Sequence, residues 1–362
     1  MTRNARAALA MAAGMLVVLF AALASGQIGR RDQPAPPWPI PDDEISAMID
    51  RAQVEEPRQH RGLTVFPVVI DGVPNIGDLL TLDEALRKDV LKVSEFNGGN
   101  VNKVWMHNRS RQNVLGIGGE AVQGAKQDRM LRDDVLIPPQ SKLAVPVYCV
   151  ERNRWAGKSD EFALAQIAAQ PSLRAAARVT ESQEQVWAVN EANQKDLSVD
   201  STTRTLADVY ASPRVKADME SYLEALGELP NEVPNMCGAV IAVRGEIVCA
   251  DVFGDPDICR RLWPKLLRSY VADDLGKGRT KRSSADRQRA RRFLERARDA
   301  RRMDREHVGA GRSIALRGEG IRGAALAYAG TVIHLELFPG IVKWHPLPEP
   351  PPRGLAPVPD TE

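Results

Sequence analysis

The chain has 362 residues, 43% of them hydrophobic, and its 49 Lys and Arg against 47 Asp and Glu leave a net charge of +2. That length suits two modest domains or one large one, and so balanced a charge rules out a whole-chain field for drawing in a polyanion. Five scattered histidines and four cysteines without a CxxC motif give no metal-site spacing.

Residues 1–24 read as a secretory signal. Arg3 and Arg6 make the positive start, Ala7 to Ala22 the apolar core and Ala22-Leu23-Ala24 a small-x-small cleavage site. The apolar run falls short of the roughly 20 residues that span a bilayer, which favours cleavage over an uncleaved anchor helix. The expected location is secreted or periplasmic, the alternative being attachment to the membrane at the N-terminus. No later segment is apolar enough to cross a membrane, so no span is expected once the signal is removed. Residues 25–45 form a Pro-rich linker and residues 341–362 a Pro-rich tail expected to be disordered.

From there the pattern predicts a helix over 48–59 and a strand over 63–69. Thr81 followed three residues later by Glu84 is a capping box for a short helix. Strands follow at 90–96, 101–107, 114–117, 135–137 and 143–150, with Asn97-Gly98-Gly99-Asn100 as a turn signal. Short strands at this spacing predict a β-sandwich-like unit over 60–156. Residues 157–340 read as an α+β unit with helical spacing at 181–195 and 205–226. A hairpin turns at Arg244-Gly245. Asp255-Pro256 caps a further helix that Pro264 is expected to kink or split, and strands follow at 313–316, 321–328 and 331–338. The fold class is therefore α+β, an N-terminal β-sandwich-like unit followed by helices packed on an antiparallel sheet.

Cys149, Cys237, Cys249 and Cys259 allow three disulfide pairings, with buried free thiols as the alternative. A two-residue turn at Arg244-Gly245 places Cys249 opposite Val240, away from Cys237. Residues 277–306 hold 13 Lys or Arg and 5 Asp or Glu, a local excess of +8. A phosphate or an acidic partner is one reading of that run. The seam of Ala290, Phe293, Leu294 and Ala297 favours the other, a solvated helix with one docked face. Without aromatic interleaving, and with an export signal, nucleic acid is not an expected partner.

The densest polar text is Gly118 to Trp155. Neither alternating face of 120–129 is apolar, which predicts a sheet-edge loop or bulge rather than a strand. Glu120 is the candidate general base, while Lys126 and Arg129 are candidate clamps for phosphate or carboxylate. Gln123 and Gln127 both donate and accept hydrogen bonds. Glu151, Arg154 and Trp155 close the next strand and complete the candidate ligand-binding set. The plain alternatives are a surface turn with Glu120 paired to Lys126 or Arg129, and Arg154 stacked on the Trp155 indole. Asp251 and His334 read as satisfied structural groups.

The run Gly119 to Arg129, then Ile137-Pro138-Pro139, Val147 to Glu151 and Arg154-Trp155, resembles the bacterial domain named for its association with ADP-ribosylglycohydrolases and rhodanese-like phosphatases. Residues 251–254, 263–270 and 332–338 fit the same pattern, so the resemblance spans roughly 62–339. It implies ADP-ribose-like or related nucleotide ligands, whereas export points away from cytoplasmic NAD metabolites. The leading functional reading is an exported binding or scaffold protein presenting the polar loop to an anionic small molecule or an envelope protein. An enzyme acting on ADP-ribose-like or phosphorylated substrates and a structural cell-envelope protein are the rivals. No pattern assigns a cofactor or an oligomeric state.

Overall fold

The structure, a computed structural model, describes residues 43–73, 76–97, 102–154, 159, 161–278 and 285–340. The expected signal, most of the expected 25–45 linker, the expected 341–362 tail, the glycines of the 97–100 turn signal and Trp155 lie outside the described residues.

The largest element is a nine-stranded antiparallel sheet. From one side it runs Leu63–Ile70, Met236–Val243, Glu246–Phe253, Thr331–Pro339, Ile321–Tyr328, Arg312–Gly318 and Arg301–Arg305. Ala52–Val54 and Arg58–His60 both pair with Leu63–Ile70. Helices Glu44–Arg51 and Arg287–Glu295 cover one face through Ile45, Ile49, Phe293 and Leu294. Pro256–Gly276 and Pro213–Leu226 cover the other through Trp263, Leu266, Met219 and Tyr222. Burial on both faces explains why Met236–Val243 is apolar without alternation.

A six-stranded sheet (Phe162–Ala168, Glu120–Gly124, Arg129–Leu131, Ser141–Cys149, Lys103–Asn108, Leu91–Glu95) shares a core with a three-stranded one (Val135–Ile137, Asn113–Gly116, Leu79–Thr81). Val93, Met106 and Val145 from the first meet Val114 and Ile137 from the second, the sandwich-like arrangement expected here. The other side of the six-stranded sheet is covered by Pro171–Thr180, Gln183–Asp196 and Leu206–Ala211. Helix Pro171–Thr180 thus lies between the six-stranded and nine-stranded sheets. Its Leu173, Ala176 and Ala177 face the first, and its Arg174 and Arg178 reach the second.

The α+β class stands, with several local departures. Leu63–Ile70, expected in the N-terminal unit, pairs with Met236–Val243, so the large sheet draws strands from both sides of residue 156. The first helix is Glu44–Arg51 rather than 48–59, because Asp43 caps it by accepting from Ser46 N–H. The helical stretch 205–226 breaks at Pro213, which has no N–H to continue the first helix. Pro264 leaves Pro256–Gly276 continuous. In the hairpin, Arg244 and Gly245 both have positive φ, the two-residue turn expected. A register shift beside it sets Cys249 opposite Ile241, not Val240. All four cysteines are free and buried.

Candidate functional site

Glu120 opens a strand after all. Glu120–Gly124 pairs with Phe162–Ala168 on one side and Arg129–Leu131 on the other. Its buried carboxylate is tolerated because each of the two oxygens has a partner. Glu120 accepts from Ile117 N–H at 2.7 Å and is ion-paired with Lys265 of helix Pro256–Gly276, which also reaches Asp83 at 2.8 Å. Two flanking carboxylates outweigh burial and hold the Lys265 ammonium protonated, above its ordinary range. The surface pairing of Glu120 with Lys126 or Arg129 is not formed.

Next to it, Gly119 adopts φ +95°, and a Cβ there would stand 2.7 Å from Arg174 Cγ. Only glycine lets the loop settle onto that arginine. Gly118 N–H donates to Asp134 at 2.7 Å. This glycine turn therefore caps a second, larger assembly that the sequence reading did not find.

Arg174 donates from Nη1 to Asp251 at 3.0 Å and bonds Asp251 and Glu336 through Nη2. Arg178 bonds Glu336 from Nε at 2.7 Å and Asp133 from Nη1 at 2.5 Å. His334 sits between Asp134 at 2.8 Å and Asp251 at 3.2 Å and stacks on Phe253. Tyr270 donates its hydroxyl to Asp251 at 2.6 Å. Burial alone would push the imidazole down, but Asp134 and Asp251 outweigh it and raise His334 to about 10. Burial would likewise raise Asp251, yet Arg174 and His334 hold it well below the carboxylate range. Asp133 falls to about 2, because Arg178, Arg305 and Arg132 outweigh its burial. Asp251 and His334 are satisfied groups, as read from sequence, but within a network joining four elements. The available signal was an acidic or basic residue in each of two apolar strands, and Arg174 and Arg178 one turn apart in an alanine-rich helix.

The remaining candidates separate into two places. Gln127, Arg129, Glu151 and Arg154 come together with Asp128 and Thr205. Gln127 donates to Glu151 O at 2.7 Å, and Arg154 donates to Glu151 and to the carbonyls of Gly124 and Ala125. Arg154 and the Asp128 N–H outweigh burial and hold Glu151 down. Arg129 is fully buried, yet its single hydrogen bond runs from Nη1 to Gln127, leaving Nε and Nη2 without partners among the described residues. Lys126 is half-buried, its N–H bonded to Glu95.

Gln123 alone of the set lines an open cleft of about 480 Å³. Ala165, Ile167, Met219 and Leu223 give it an apolar lining, and Gln166, Lys216, Arg268, Asp208 and Glu220 a polar one. Gln166 has φ +56° inside a register shift of strand Phe162–Ala168. A left-handed glutamine costs about 1 kcal/mol or more, and bulges of this kind re-aim a side chain. Among the described residues no group of three or more His, Cys, Asp or Glu is placed to hold a metal ion.

Fold and buried polar network together define an α+β protein whose sheets are joined by an ionic core. Residues 51–338 match the ARPP-1 domain, described as the ARG and Rhodanese-Phosphatase-superfamily-associated Protein domain, and the chain belongs to that family. Nothing matches among the curated proteins or among the solved structures.

Proposed function

We propose that this protein is an exported binding protein whose cleft beside Gln123 takes an anionic small molecule. The observation that carries the reading is Gln166, held in a strained backbone conformation in a bulge and lining the same cleft as Gln123, Lys216 and Arg268. Lys216 and Arg268 are exposed cations there, and the apolar lining suits the body of a small ligand. Asp208 and Glu220 at the same cleft make a ligand carrying its own donors, such as hydroxyl groups, a better fit than a bare anion. The signal-like residues 1–24 support export.

The test is a thermal-shift screen of the full chain against nucleotides, ADP-ribose and sugar phosphates, with Arg268→Gln and Lys216→Gln alongside. A ligand at 100 times its dissociation constant adds about 2.7 kcal/mol of stability. A shift lost in both variants supports the cleft; a shift unchanged in both sinks it. The enzyme reading rests on Glu120, whose carboxyl burial pushes above its ordinary range beside Lys265. It requires turnover of a phosphorylated or ADP-ribose-like substrate that Glu120→Gln abolishes.

A further inference from the structure

The far edge of the nine-stranded sheet carries a charge pattern that the cleft does not use. Arg301 lies directly opposite Arg317, and Arg317 directly opposite Arg322, on three adjacent strands. Residues so paired share a face with Cβ atoms about 4.5–5.5 Å apart, and like charges there are destabilising. Arg301 and Arg317 are exposed and Arg322 is half-buried. Among the described residues none of the three makes an ion pair, and Arg322 donates only to the carbonyls of Gly318 and Ile321. Among the described residues Glu319, in the turn joining two of these strands, makes no ion pair either.

Neighbouring arginines of the same strands are compensated. Arg312 pairs with Glu44 and Asp304, and Arg305 with Glu181. Guarding a sheet edge against pairing would account for Arg301 on the outermost strand. It does not account for Arg317 and Arg322, one and two strands further in.

We propose that the Arg301–Arg317–Arg322 row is a binding site for an oligophosphate, a run of two or three phosphoryl groups laid across the strands. Strands lie about 4.8 Å apart, so the row spans roughly 10 Å, and planar guanidinium forks match phosphoryl oxygens in pairs. The ligand neutralises the repulsion built into the register. The site is separate from the cleft and stands or falls independently of it.

Isothermal titration of the full chain with inorganic triphosphate at low salt tests this. Binding is expected, with affinity falling about tenfold in Arg317→Gln, falling again with added salt, and unchanged in Arg268→Gln. Arg317→Gln is an exposed change, and a melting temperature without ligand no lower than that of the wild type confirms that it folds. No heat with the wild-type chain overturns the proposal, as does equal affinity in Arg317→Gln or loss of binding in Arg268→Gln. Self-association of Arg301→Gln by light scattering, with triphosphate affinity unchanged, identifies an edge guard and overturns it too.

Discussion

Two buried arginines, Arg174 and Arg129, occupy opposite electrostatic situations. Arg174 is held by Asp251 and Glu336 from two neighbouring strands, and its ion-pair partners are in turn held by His334, Tyr270 and Arg178. Arg129 is as deeply buried, but its side chain has one hydrogen bond, to Gln127, and no ion pair among the described residues. Removing a charge from a paired network strands the opposite charges it held; removing one that holds no carboxylate strands no charge. Burial alone therefore says little about what an arginine contributes.

The sharpest way to break this comparison is Arg174→Met. It leaves Asp251 and Glu336 buried without their shared cation, and a loss of about 3–5 kcal/mol is expected in urea unfolding. A loss under about 1 kcal/mol would mean that Arg178 and His334 suffice, and the contrast would collapse. The pH response comes next. His334 is raised from 6.5 to about 10, so its contribution is fully present below pH 6.5 and is lost as pH rises through 10. Melting temperature should fall over that window in the wild type and less steeply in His334→Gln. Asp133, lowered to about 2, contributes above about pH 4 and loses that contribution as pH falls through 2, so the acid limb of the same titration should flatten in Asp133→Asn. The smallest effect belongs to Arg129→Met, expected within about 1 kcal/mol of the wild type in urea unfolding, of either sign. A loss of several kcal/mol there would show that Arg129 is engaged as fully as Arg174.

Much of the fold was legible because its signals are local. The Thr81–Glu84 capping box, the Arg244-Gly245 turn and the Asp255-Pro256 helix start form as their side chains dictate. The chain also marked Gln127, Arg129, Glu151 and Arg154 as neighbours, since they lie at or just beyond the ends of two strands that pair at Cys149 and Arg129. What stayed hidden depends on distant partners. Glu120 reads as a loop residue until Lys265, 145 positions away, is placed against it. Helix Pro171–Thr180 hides in an alanine-rich stretch, and its two arginines find their carboxylates about 80 and 160 positions onward. No period within a window of 11–18 residues carries that information.

The four cysteines have a practical consequence. All are buried as free thiols, and burial pushes Cys237 up to about 12 and raises the other three above their ordinary range. The native chain thus offers no thiolate to a labelling reagent, whereas the unfolded chain offers four. Reagent uptake becomes a clock for opening, and the core around Cys149 and the core around Cys237 can be timed separately once each has its own cysteine-to-serine background.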